Sequence, residues 1–221
     1  MENIVVSLKN LTKTYGKQVV LNHINLDIYT NEFVVIMGES GAGKSTLINI
    51  ISFLTNYDSG LYIFMEKDTN KLNLEQKNQI RRMDMNIIFQ KYNLFEELTI
   101  YENLITYLSI CGLQKENAQK KIIEMAEKLN IQEHLEKNVS LLSHGEKQRV
   151  AIARSFLTAK NIIIADEPTA SVDKENRDII IQQLCESHKA GKTIIVVTHD
   201  SEYLKAATKK VFLSYGEITE I

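Results

Sequence analysis

The sequence predicts an α/β fold: a mainly parallel sheet covered by helices, an antiparallel β portion at the N-terminus, and a helical subdomain inserted midway. Three observations carry this. Short, uninterrupted apolar runs at Phe33–Met37, 161–165 and 193–198 read as strands buried on both faces. Helical stretches alternate with those runs. Residues 71–85 and 96–140 are instead polar, helical in period and free of long apolar strands.

The elements follow in order. Residues 4–8 and 19–28 are rich in Val, Ile and Leu with partial alternation, and are expected as strands of an antiparallel edge sheet. After Phe33–Met37 comes a glycine-rich turn, then a helix over 44–54. Asp58, Ser59 and Gly60 predict a turn. From 115 to 130, Ala118, Ile122, Met125, Ala126 and Leu129 recur at helical spacing with charge opposite. A helix is expected at 174–189, and a hairpin at 211–213 and 217–221 around Tyr215 and Gly216. The expected division is one domain over 1–221, with an α/β core at 1–90 and 160–221 and a helical subdomain at 91–159.

Composition narrows the class. Of 221 residues, 44% are hydrophobic and 24% charged, as in an ordinary globular protein. The net charge of −2 supplies no global field for nucleic acid. No run of 18 apolar residues exists, and the start lacks a basic segment followed by an apolar stretch. A membrane role would therefore need another chain to cross the bilayer. Cys111 and Cys185 have no nearby ligand cluster, so a reduced, intracellular chain is expected, with both packing as small apolar residues.

The sharpest motif is Gly38-Glu39-Ser40-Gly41-Ala42-Gly43-Lys44-Ser45-Thr46, a phosphate-loop pattern with an apolar strand before it and a helix after it. Its glycines let backbone N–H groups turn inward towards phosphate oxygens, and the helix start adds positive potential. Lys44 is expected at the β- and γ-phosphates, Ser45 at Mg²⁺ and Thr46 at the α-phosphate. A second apolar strand ends in Asp166 and Glu167. Beside a phosphate loop, Asp166 suits Mg²⁺, directly or through water, and Glu167 suits activation of a water for in-line attack.

Further residues resemble one family of P-loop NTPases. Leu142-Ser143-His144-Gly145-Glu146 is similar to the signature of the ABC ATPases, and Gln90, closing Asn86-Ile-Ile-Phe, to their Q-loop. Ser171-Val172-Asp173 resembles the D-loop, His199 the switch histidine, and Tyr15 the aromatic that stacks on adenine. The matches run in family order along essentially the whole chain. The resemblance implies the ABC ATPase fold, ATP and Mg²⁺ as ligands, and catalytic roles for Lys44, Gln90, Glu167 and His199. Ser45, Gln90 and Asp166 would serve the metal. It further implies a head-to-tail homodimer in which Ser143 and Gly145 of one subunit meet the γ-phosphate held by the other, with Asp173 at the nucleotide. Ser143 and Glu146 also form a capping-box pattern, so this site doubles as a helix start. His144 departs from the family's glycine, which puts the hydrolysis rate in question. His23, His134 and His188 match no motif, and Arg81-Arg82 reads as a solvated helical face.

Short words such as Leu98-Thr-Ile-Tyr-Glu-Asn103 and Ala165-Asp-Glu-Pro-Thr-Ala170 resemble the lipoprotein-releasing and macrolide-exporter branch (LolD/MacB type), with FtsE close. This implies a cassette at the cytoplasmic face of the membrane, held there by a separate permease. It would power export, lipoprotein or peptide extraction, or mechanotransmission, without the C-terminal regulatory domain of some importers. Its groove for the permease is expected near residues 92–97. The alternatives are an FtsE-like regulatory ATPase, a non-transport ABC ATPase, or a binding-only regulator. The short spacing between phosphate loop and signature, without heptads, speaks against a chromosome-maintenance type.

Overall fold

The computed structural model describes residues 3–112, 115–170 and 172–220. Among these, the strands form two sheets. In the first, β1 (Ile4–Tyr15), β2 (Gln18–Tyr29), β4 (Ser59–Phe64) and β5 (Lys67–Asp68) pair antiparallel in the order β2-β1-β4-β5. Strands β1 and β2 run longer than the expected 4–8 and 19–28. Bulges explain why the period-2 signal fades: the register shifts between Leu8 and Leu11, where Asn10 takes φ 49°. Leu8 and Leu11 are consequently both buried although three positions apart.

The second sheet has the order β10-β9-β3-β8-β7-β6. It comprises β3 (Phe33–Met37), β6 (Met85–Ile88), β7 (Ile162–Asp166), β8 (Thr193–Val197), β9 (Lys209–Ser214) and β10 (Glu217–Glu220). All its pairings are parallel except the β9–β10 hairpin. The central strands are apolar throughout because both faces are covered. Val34, Ile36, Ile162, Ile164, Ile195 and Val197 enter one core, with the first sheet and α1 (Lys44–Ile51). Phe33, Val35, Ile163, Ala165, Ile194 and Val196 enter the other. That second core also takes residues of α3 (Ile100–Ile110), α4 (Lys115–Lys128), α5 (His144–Phe156) and α6 (Lys174–Lys189). Each buried Val or Ile contributes about 1.5–3 kcal/mol of transfer free energy. Helix α2 (Leu74–Asp84) buries Ile80 in the first core and packs beside β6.

Two local expectations are corrected. Ser59 and Gly60 do not form a turn: they begin β4, with Ser59 opposite Thr12. Asp58 anchors that start, its carboxylate accepting from the Thr14 N–H at 2.6 Å and from Lys13 Nζ at 2.8 Å. Helix α1 ends at Ile51 rather than 54, since Phe53 takes φ 59°, which the helix cannot continue. The expected amphipathic helix is present, with Ala118, Ile122, Ala126 and Leu129 fully buried in α4 and the turn after it.

Candidate functional site

The parallel order decides the site. Four adjacent strands, β3, β8, β7 and β6, end on the same edge, so the chain after each arrives in one place. The phosphate loop follows β3, Thr198 and His199 follow β8, Asp166 ends β7 with Glu167 next, and Gln90 comes shortly after β6. A cleft of about 270 Å³ opens there, lined by Ser40, Gly41, Gly43, Lys44, Ser45 and Thr46 of the loop, by Gln90, Asp166 and Glu167, and by Val20; Gly38, Glu39, Ala42, Thr198 and His199 are outside this lining.

Gly43 stands at the N-cap of α1 with φ 100° and ψ 6°, a left-handed conformation that glycine adopts without steric cost. Lys44 is buried, and its ammonium donates to the carbonyls of Gly38 (2.7 Å) and Glu39 (2.8 Å). An ammonium has three N–H donors, so one is left for a ligand in the cleft. Asp166 is nine-tenths buried, and its Oδ1 has no hydrogen-bond partner. Burial raises its pKa above the ordinary carboxylate value, partly opposed by the Ser45 hydroxyl. A buried carboxylate oxygen without a partner, next to a hydroxyl and a side-chain amide, is a donor set for a hard cation. The described residues contain no cluster of three or more His, Cys, Asp or Glu, so such an ion would depend on phosphate oxygens and water for the rest of its shell.

Glu167 sits at φ 47°, in the left-handed region, with its N–H donated to Val197 O at 2.8 Å. Its carboxylate accepts from the buried Thr198 hydroxyl at 3.3 Å, and His199 Nδ1 lies 3.0 and 2.9 Å from its two oxygens. The His199 ring is otherwise exposed. The carboxylate is thus aimed by two groups at the end of the neighbouring strand.

The signature segment lies elsewhere. Ser143 caps α5 in a reciprocal capping box: its N–H donates to Glu146 Oε2 (2.8 Å) and its Oγ accepts from the Glu146 N–H (3.3 Å). The Ser143 N–H is the main cause holding the Glu146 pKa below its usual range. Ser143 and His144 are exposed and Gly145 partly so. Asp173 caps α6, accepting from the Asn176 N–H at 3.0 Å. Tyr15 is half exposed, with Lys13 Nζ 5.1 Å from its ring centre. Tyr15, Ser143, Gly145 and Asp173 do not line the cleft. Ser171 lies outside the described residues.

Other residues around the site carried no motif. Gln148, buried in α5, donates to Pro168 O at 2.8 Å and so ties the signature helix to the chain after Glu167. Arg154 of α5 holds the carbonyls of Tyr92 and Asn93. Arg81 is not merely solvated, since it donates to Phe53 O at 2.6 Å. An apolar groove of about 440 Å³ opens beside it, lined by Leu54, Ile87, Phe89, Phe95 and Ile110 with Arg81 and Arg82. Thr198 offered a sequence signal only by preceding His199.

A phosphate loop and an acidic strand end on parallel strands of one sheet, β3 and β7 with β8 between them, define a P-loop nucleotide-binding protein. The comparisons make this specific. The ABC transporter family profile matches residues 21–170. An uncharacterized ABC transporter ATP-binding protein, YvrO of Bacillus subtilis, is 37% identical over 97% of this chain and 95% of its own length. The macrolide export ATP-binding/permease protein MacB of Campylobacter jejuni is 34% identical, but the chain spans only 33% of it. The methionine import ATP-binding protein MetN of Clostridioides difficile is 35% identical over 98% of the chain and 68% of its own length. Among solved structures, the dimeric ABC transporter cassette MJ0796 superposes with a TM-score of 0.92 at 35% identity, covering 98% of this chain and 97% of the other. The same cassette in a dimeric post-hydrolysis state with ADP and Pi gives 0.91. The chain therefore belongs to the ABC transporter family, as an ATP-binding cassette. No helix among the described residues is long and apolar enough to cross a membrane.

Proposed function

We propose that this chain hydrolyses ATP as a pair of subunits and delivers the resulting motion to a membrane permease. The observation that carries this is the convergence of Lys44, Asp166, Glu167 and His199 at the ends of adjacent parallel strands. In this reading the loop N–H groups and Lys44 hold the β- and γ-phosphates, Thr46 the α-phosphate, and Tyr15 stacks on adenine. Ser45, Gln90 and Asp166 would hold Mg²⁺, whose charge offsets that of the phosphates; the unpartnered Asp166 oxygen supports the fit. Glu167 accepts a proton from the attacking water as its oxygen bonds to the γ-phosphorus and the bond to the ADP oxygen breaks. Thr198 and His199 keep the Glu167 carboxylate aimed.

The dimeric MJ0796 cassettes support a pair of subunits; in our reading the pair is head-to-tail, and Ser143 and Gly145 of one subunit, with Asp173 nearby, complete the site of the other. Binding ATP closes the pair, and loss of the γ-phosphate opens it. The domain division we propose is a core of 1–90 and 160–221 with a helical subdomain of 91–159. The groove beside Arg81 and Arg82, to which Asn93 and Phe95 contribute, fits an amphipathic cytoplasmic helix of a permease with an acidic side chain on its polar face. The cassette is then peripheral, at the cytoplasmic face. The work delivered in this reading is export, extraction or mechanotransmission; the MacB relatives support export, while the import protein MetN is equally identical.

Glu167→Gln tests the chemistry. ATPase activity is expected to fall at least a hundredfold while ATP now accumulates a dimer on size exclusion. Hydrolysis at the wild-type rate in this variant would sink the assignment. Co-purification of an integral membrane protein with the tagged chain tests the transport role.

A further inference from the structure

The segment after Gln90 has no regular structure from 91 to 95, so side chains must fix its path. One face of α5 supplies them. His144, Lys147 and Arg154 are spaced three and seven residues apart and so share a helix face. Arg154 Nη2 donates to Tyr92 O at 3.0 Å, and Nη1 to Asn93 O at 2.5 Å. Lys147 Nζ lies 3.0 Å from Glu96 Oε1. At the N-terminal end, His144 Nδ1 is 3.2 Å from the Tyr92 hydroxyl, with ring centres 6.1 Å apart.

Arg154 and Lys147 tie the segment to the body of α5. The His144–Tyr92 contact differs, because it joins the first residue of α5, between Ser143 and Gly145, to a side chain two residues beyond Gln90. We infer that His144 is a positioning residue: through Tyr92 it couples the first turn of the signature helix to the Gln90 segment. Any movement of Gln90 then carries Ser143 and Gly145 with it. This rests on the proposed function, in which those two residues complete the partner's ATP site. It gives the imidazole a use where the resemblance leads one to expect glycine. With Nδ1 engaged by the phenol, the ring orientation is fixed and the helix start is held at a set distance from the loop.

The test is a double-mutant cycle on the full chain, reading kcat and KM for ATP. Neither Tyr92 nor His144 lines the nucleotide cleft. Tyr92→Phe and His144→Gly are each expected to lower kcat about two- to tenfold, the worth of one hydrogen bond, with KM within twofold. The double variant should be no slower than the worse single one. His144→Asn, which keeps a polar atom near the Nδ1 position, should restore kcat only while Tyr92 is present. Losses that multiply, an unchanged kcat, a change confined to KM, or a rescue indifferent to Tyr92 would overturn the inference while leaving the ATPase reading standing. A wild-type chain inert towards ATP would sink both.

Discussion

Replacing Gly43 by Ala should unsettle the phosphate loop by an amount that the geometry sets. The residue sits at φ 100°. An L-residue held in the left-handed region costs about 1–2 kcal/mol. An added Cβ would also stand 2.8 Å from Val20 O and 2.9 Å from Leu21 Cδ2. The first of these is backbone of β2 and cannot swing aside, so overpacking adds roughly 1–2 kcal/mol. The sum, about 2–4 kcal/mol, is large against the usual 5–15 kcal/mol of a folded domain. For a chain of this size it lowers Tm by about 4–16 °C. Gly41→Ala is the internal control. Gly41 also has positive φ, at 80°, but an added Cβ there meets nothing within 4 Å. It should lose only the backbone part, about 2–8 °C. Thermal melts of the three proteins, with nucleotide titration by calorimetry, separate the two parts. ATP binding should weaken more in Gly43→Ala, because the shift falls between Lys44 and β2. If Gly43→Ala melts with or above Gly41→Ala, the packing argument against β2 is wrong.

Three smaller predictions follow from single contacts. Tyr62 is fully buried and donates to Ile51 O at 2.7 Å, at the end of α1; Tyr62→Phe should cost about 1–2 kcal/mol in urea denaturation, and no loss would mean that the carbonyl finds another donor. The Glu146 pKa is held below its ordinary 4.5, chiefly by the Ser143 N–H, so its stabilisation is complete above pH 4.5 and is lost as pH falls through the lowered folded value. Glu146→Gln should therefore be less stable than wild type at pH 7, with the gap in Tm closing below pH 4.5; a gap independent of pH refutes this. Arg154→Ala should cost about 1.5–3 kcal/mol, since two carbonyls lose a charged donor, and hydrogen exchange should quicken at residues 91–95 ahead of the rest of the chain.

Much of the candidate site was legible because it is local. A phosphate loop is nine consecutive residues whose spacing is itself the geometry, and Asp166 with Glu167 is a pair at the end of an apolar run. The signature's capping box is likewise contained within four residues. The start of strand β4 reads as a turn because Ser59 and Gly60 carry turn chemistry, and only pairing with β1 overrides it. The two long N-terminal strands were cut short for a related reason, as bulges break the alternation by which a strand is recognised.

The sequence by itself determined that a phosphate loop, an acidic strand end and a family's motifs stand in one order along the chain. Only the tertiary structure decided their distances. The order β3-β8-β7-β6 brings the loop, Thr198, His199, Asp166, Glu167 and Gln90 to one edge, though β3 and β8 are far apart in the chain. Strand order is set by the burial of two cores on opposite faces, a property of the whole sheet. The same holds for His144: the sequence marks it as a departure from the family pattern, and folding supplies Tyr92, 52 residues away, to hold it.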